Sequence, residues 1–251
     1  MKSVGAVYCV YDDSGFLAES VKRVYPLMDK ILFLVNFKPW CGDPDPSAVS
    51  RTINTITSMP DPDNKIEIIS KYWATEADQR NFGTKTLRQA GLAWHAIIDD
   101  DEMFNRSELE WLLNAIDINQ HACYLINHQI YWKSRDLVMD MDPFALNGVI
   151  STIENLCQFH LNRMVMVYNG KTWTSFPGDK VTCHHMSYVR SDEKMLRKIQ
   201  TFSHANELVP NWYEEKWLKW TPEMTALHPM NPAGFRKVIS IDVAPYKLEQ
   251  V

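Results

Sequence analysis

The chain lacks paired cysteines. Its five, Cys9, Cys41, Cys123, Cys157 and Cys183, are odd in number and widely spaced, and no Cys-x-x-Cys occurs. Zinc-ribbon and thioredoxin-like readings therefore have no support, and free buried thiols in a reducing compartment are the simplest account. Long apolar runs are also missing. No stretch approaches a membrane span, and the short apolar run near the N-terminus is closed by Asp12 and Asp13, too early for a signal peptide. Together these absences make a cytoplasmic location the expectation. There is no excess of positive charge: 26 Lys and Arg stand against 31 Asp and Glu, for a net charge of −5. That argues against broad binding to nucleic acid and leaves only a local basic groove open. Repeats and low-complexity segments are absent. What remains is ordinary globular composition, 45% hydrophobic and 23% charged over 251 residues, enough for one large domain or one domain with a C-terminal extension.

In the first half, apolar runs alternate with helical periods. Residues 4–11 read as a strand buried on both faces, and 16–25 as a helix ended by Pro26. Residues 31–35 form a second strand, 47–59 a helix, 65–70 a third strand and 76–90 a helix with Gly91 as C-cap. A fourth strand, 92–98, runs into Asp99-Asp100-Asp101-Glu102. Four such alternations predict an α/β fold with a mostly parallel sheet flanked by helices, and ligands at the carboxyl ends of its strands. Asp12, Asp13, Asn36 and the acid run all fall at those ends. Later segments are less regular: a helix over 107–116, a strand over 123–132, a helix near 149–160, a short strand over 164–168 and a basic helix over 191–205. The tail carries Trp212, Tyr213, Trp217 and Trp220, read as an aromatic helix packed on the domain.

The four consecutive acids carry the chemistry. Carboxylates packed this closely raise each other's pKa unless a cation joins them. Mg²⁺ and Mn²⁺ prefer such oxygen ligands and bridge them to phosphate. The competing expectation is a solvated acidic loop with no ligand.

The surrounding residues resemble a family. Asp-x-Asp after the fourth strand is the pattern of the GT-A class of glycosyltransferases. Glu76-Ala77-Asp78-Gln79-Arg80-Asn81-Phe82-Gly83 followed by Gly91, and Tyr11-Asp12-Asp13, are similar to segments of family 2 within that class. The resemblance covers residues 4–115. His185-Met186-Ser187-Tyr188, followed by Lys198 and Phe202-Ser203-His204, is similar to a signature in β1,4-N-acetylglucosaminyltransferase-like proteins.

The resemblance implies a GT-A fold and metal-dependent transfer of a sugar from a nucleoside-diphosphate sugar, a UDP-sugar first, to an acceptor hydroxyl. Inversion is the first expectation and retention the alternative. Tyr11 would stack on the nucleobase, and Asp13 and Asn36 would contact base or ribose. Arg80, Asp99 and Asp100 would complete the donor site. Asp99, Asp101 and His185 would hold Mn²⁺ or Mg²⁺, with His184 on the opposite face if the run is a strand. Arg190, Lys198 and His204 would add positive charge near the diphosphate. The base would come from Asp136, Asp140, Asp142, Glu154 or Asp179, with Asp142 first and Asp140 second because they follow the acceptor-side strand. Trp132, Trp173 and Trp212 are candidate sugar platforms. Residues 1–205 would form the catalytic domain, divided at 115 into nucleotide-sugar and acceptor halves, and 206–251 a helical extension. Two rivals stay open. A nucleotidyltransferase should carry a Gly-rich basic loop where Tyr11-Asp12-Asp13-Ser14-Gly15 stands. A non-catalytic nucleotide-sugar-binding module should have lost the acids, which are present. The acceptor, whether glycan, protein or modified nucleobase, is not legible, and no membrane span is expected.

Overall fold

A computed structural model describes residues 2–250. Its first half follows the expected alternation: β1 (Val4–Val10), α1 (Leu17–Val24), β2 (Lys30–Asn36), α2 (Ala48–Thr57), β3 (Ile66–Lys71), α3 (Glu76–Gln89) and β4 (Trp94–Ile97). β1 is buried at every position because its sheet is covered on both faces. It pairs in parallel with β2 and β4, and β2 pairs in parallel with β3. Leu17, Val21 and Val24 give α1 one buried stripe. Thr75 caps α3 by accepting from Asp78 N. Gly83 lets α3 approach the sheet, since a Cβ there would lie 2.7 Å from Val7 Cγ1. One turn earlier on the same helix is Arg80, which reaches the end of β4.

The second half contains β5 (Glu102–Met103), α4 (Arg106–Ala115), β6 (Cys123–Trp132), β7 (Ser134–Asp140), β8 (Ala145–Ser151), β9 (Cys157–Leu161), β10 (Met164–Val167), β11 (Trp173–Ser175), β12 (Thr182–Tyr188), α5 (Asp192–Thr201) and β13 (Lys237–Ser240). The helix expected near 149–160 does not form. Val149 and Ile150 belong to β8, which pairs antiparallel with both β4 and β6, and residues 157–161 form β9. A strand between two neighbours shows a short apolar run that does not distinguish it from a buried helix.

The sheet is consequently mixed rather than mostly parallel. Its order is β13-β7-β6-β8-β4-β1-β2-β3, with β11 and β12 branching from β6 and β5 pairing in turn with β12. Strands β9 and β10 form a separate two-stranded hairpin. The C-terminal extension is not a helical one either. Tyr213–Leu218 makes a single π-helical turn, and Lys237–Ser240 joins the main sheet antiparallel to β7. Trp132, Trp212 and Trp217 are buried in one cluster, with the Trp132 ring 5.2 Å from Trp217 and 6.2 Å from Trp212. Trp132 and Trp212 therefore pack core rather than offer platforms, whereas Trp173 is 59% exposed. Among the described residues no helix is long and apolar enough to cross a membrane.

β8 approaches β6 closely at Gly148, where a Cβ would fall 2.0 Å from Ile126 Cδ1. Gly148→Ala is expected to destabilise the protein by about 1–3 kcal/mol through overpacking. The readout is a lower urea midpoint at unchanged slope. An unchanged midpoint would mean that Ile126 turns aside freely.

Candidate functional site

The ends of β1 and β4, the β9–β10 hairpin, β12 and α5 enclose a cleft of about 420 Å³. Tyr11, Asp13, Arg80, Asp99, Asp100, Asp101 and His185 all line it. Asn36 does not. It is 1% exposed, its Nδ2 donates to Trp73 O at 3.0 Å and its Oδ1 accepts from Trp73 N at 3.1 Å. Asn36 thus ties the end of β2 to the segment after β3. Asp140 and Asp142 are also outside the lining. β7 carries them to the sheet edge, where Arg236 binds Asp140 at 2.9 Å and Asp142 at 2.5 Å. Asp136, Glu154 and Asp179 do not line the cleft.

The acid run divides between two sets of cations. Asp99 accepts from Arg80 Nη2 at 2.7 Å and from Arg163 Nη1 at 3.2 Å. Arg80 is itself held by Glu76 one turn earlier. Asp101 lies 3.1 Å from His185 Nε2 and accepts from Arg190 at 2.6 Å and Lys198 at 2.9 Å. Burial alone would raise the Asp101 carboxyl, but Lys198, His185 and Arg190 hold it well below the ordinary carboxylate range. Burial is likewise outweighed at Asp99 by Arg80 and Arg163, so its carboxyl also sits low. Asp100 has no such partner. Its carboxylate accepts from Ser14 N at 2.7 Å, while burial and the Asp101 charge push it up to about 7. Glu102 turns inward. Its side chain is fully buried, accepts from Asp99 N at 3.0 Å and pairs with Arg163.

Arg163 was not legible as a site residue. It sits after Asn162 at the hairpin tip, far from the acids in sequence. Its guanidinium contacts Asp99 and Glu102 and donates to the carbonyls of Asn147 and Ile97. The only local signal was a basic residue in a turn between two short strands. Strand alternation in β12 separates the two histidines. His185 lines the cleft, and His184 is buried against Tyr131, Nδ1 to hydroxyl 2.9 Å.

The chain matches no family model and no curated protein.

Of the three expected ligands, the structure brings Asp101 and His185 together, with Asp101 Oδ2 already held by Arg190 and Lys198. The 3.1 Å separation of Asp101 Oδ1 and His185 Nε2 is close to the spacing of about 3.0 Å between adjacent ligands of an octahedral ion with bonds near 2.1 Å. Asp99 is directed instead to Arg80 and Arg163. Among the described residues, the acid and histidine group whose ligand atoms all lie within 4.8 Å is Glu102, His128 and His185. His128 is buried with both ring nitrogens unpartnered, and burial pushes its pKa well below the usual histidine value. Arg163 already occupies the Glu102 carboxylate in that group.

Asp100 yields a pH prediction. Its folded pKa is near 7 and an unfolded aspartate titrates near 3.9, so between these values the folded state holds a proton that the unfolded state releases. Stability should then fall as the pH rises from about 4 to about 7. Asp100→Asn keeps an acceptor for Ser14 and should flatten this dependence. Melting temperatures measured in chelator across that range provide the check, and equal slopes in both proteins would place the proton elsewhere.

Proposed function

We propose that the cleft binds a nucleoside-diphosphate sugar, with UDP-sugars the first candidates, and transfers the sugar to an acceptor hydroxyl. The observation that carries this reading is the convergence of Arg80, Arg163, Arg190 and Lys198 on an acid run at the carboxyl end of β4. Ligands of parallel α/β sheets bind at such ends. A departing nucleoside diphosphate gains negative charge, and fixed cations in a partly dehydrated cleft stabilise it without reorganising.

Tyr11 supports the donor end of this reading. Its hydroxyl accepts from Asp45 N at 2.6 Å, which fixes the ring at the cleft wall as a surface for a base. Arg80, buried behind Asp99, holds that carboxylate ionised and in place. Asp101 and His185 would hold Mn²⁺ or Mg²⁺. When bound, the ion supplies Lewis-acid stabilisation of the leaving diphosphate. Arg190 and Lys198 keep Asp101 anionic, the form that a hard cation requires.

A thermal-shift screen of UDP-, GDP- and CDP-sugars with Mn²⁺ tests the reading. A ligand present at a hundred times its Kd should stabilise the fold by about 2.7 kcal/mol. Asp101→Asn should weaken binding of UDP–Mn²⁺ by at least about tenfold in calorimetry, equivalent to about 1.4 kcal/mol. If no nucleotide sugar stabilises the protein in this screen or in its repeat with Mg²⁺, the transferase reading fails.

A further inference from the structure

An acceptor hydroxyl that attacks a sugar needs a base within hydrogen-bond reach. The inference that follows rests on the transferase reading above. Every acid that lines the cleft is already engaged. Asp12 pairs with Arg51 at 2.9 Å, Glu76 with Arg80, Asp99 with Arg80 and Arg163, and Asp101 with Arg190 and Lys198. Asp13 and Asp100 accept from the backbone N–H groups of Gly15 and Ser14. All six come from the turn after β1, from α3 or from the turn after β4, which is the donor side.

The segment after α5 and the loop before β13 bring two histidines to the same cleft, His204 and His228. They are set in opposite tautomers. His228 Nδ1 accepts from Met230 N at 3.1 Å and Asn231 N at 2.9 Å, so in the neutral ring the proton sits on Nε2 and no lone pair is left for a substrate. His204 Nδ1 lies 2.9 Å from Glu207 Oε1. A carboxylate only accepts, so Nδ1 carries the proton and Nε2 keeps the lone pair. Asn162 Nδ2 donates to that nitrogen at 3.0 Å. Asn162 is the neighbour of Arg163, which contacts Asp99 and Glu102. The basic nitrogen is thereby tied to the acid run through two consecutive residues, whose Cα atoms are about 3.8 Å apart.

We propose that His204 is the general base for the acceptor hydroxyl and that Glu207 is its positioning residue. The Asn162 amide marks the place of the hydroxyl, which displaces it from Nε2. The hydroxyl proton passes to Nε2, and the acceptor oxygen forms its bond to the anomeric carbon. The bond from that carbon to the diphosphate oxygen breaks, and its electron pair leaves on the nucleoside diphosphate. Glu207 stabilises the imidazolium, which then returns its proton to solvent. A neutral imidazole nitrogen with a free lone pair is the side-chain group most often used as a general base.

The experiment follows UDP release from UDP-glucose, UDP-galactose and UDP-N-acetylglucosamine with Mn²⁺, water serving as acceptor. His204→Gln is expected to lower kcat by about 10²–10⁴-fold while calorimetric binding of UDP–Mn²⁺ is unchanged. Added imidazole should restore part of the rate to His204→Gly and none to the wild type. Nitrogen-15 NMR of the substrate-free protein should show the Nδ1–H tautomer at His204 and its loss in Glu207→Gln. Wild-type release that His204→Gln retains overturns the base alone, as does loss of UDP binding equal to the loss of rate. A rate lost in Asp100→Asn but kept in His204→Gln transfers the role to Asp100. A wild type that binds a donor yet releases no UDP, with the His204 Nε2 protonated in the NMR spectrum, overturns the base and leaves the transferase reading to the binding screen.

Discussion

Arg163 crosses from the tip of the β9–β10 hairpin into the turn after β4, where a fully buried Glu102 carboxylate waits for a cation. An ionised group with no water around it is tolerated only when charge and hydrogen bonds replace that water. Arg163 supplies the charge and Asp99 N supplies a hydrogen bond. The turn closes because Glu102 reaches back to the backbone of Asp99. The closed turn then sends the two flanking aspartates to different partners. Remove the guanidinium and the inward carboxylate loses its reason to be there, and with it the shape of the acid run.

The division has an electrostatic result. Asp99 belongs to a rigid set made by α3 and the hairpin, whose cation Arg80 is itself buried and held by Glu76. Asp101 belongs to a set made by β12 and α5, in which Lys198 is more open to solvent than Arg190. Asp99 stays partly exposed between two guanidinium groups, while Asp101 is nearly buried between His185, Arg190 and Lys198. Asp100, between them, is left close to neutrality by the same neighbours. Four adjacent carboxyl groups therefore have four different electrostatic settings. Composition alone would treat them as equivalent.

Much of the first half was legible because its strands and helices obey local periods. The acids at the end of β4 follow from strand and helix order, and Arg80 and His185, expected from the resemblance, line the same cleft. What was not legible depends on partners distant in the chain. β8 lies between β4 and β6, and a strand buried on both faces carries no alternation to mark it. Asn36 resembled a ligand contact at a strand end, but its amide is consumed by Trp73, 37 residues away. Asp140 and Asp142 follow the expected strand, yet β13 pairs with β7 and brings Arg236 onto both. Arg163 and Glu102 are 61 residues apart, and no local pattern relates them. The aromatic tail was read as packing on the domain, and it does so, though through a π-helical turn and an edge strand.

The hairpin also governs an exchange of identities. Asn162, in a left-handed turn conformation, faces His204, and the next residue, Arg163, faces the acids. Pairing between β9 and β10 shifts at Met164 and Val165 just beyond the tip. Asn162 and Arg163 both belong to the two-residue tip rather than to either strand, so the tip alone sends an uncharged amide to the imidazole and a guanidinium to the two carboxylates. A turn of two residues thereby sorts neutral from charged partners across the cleft.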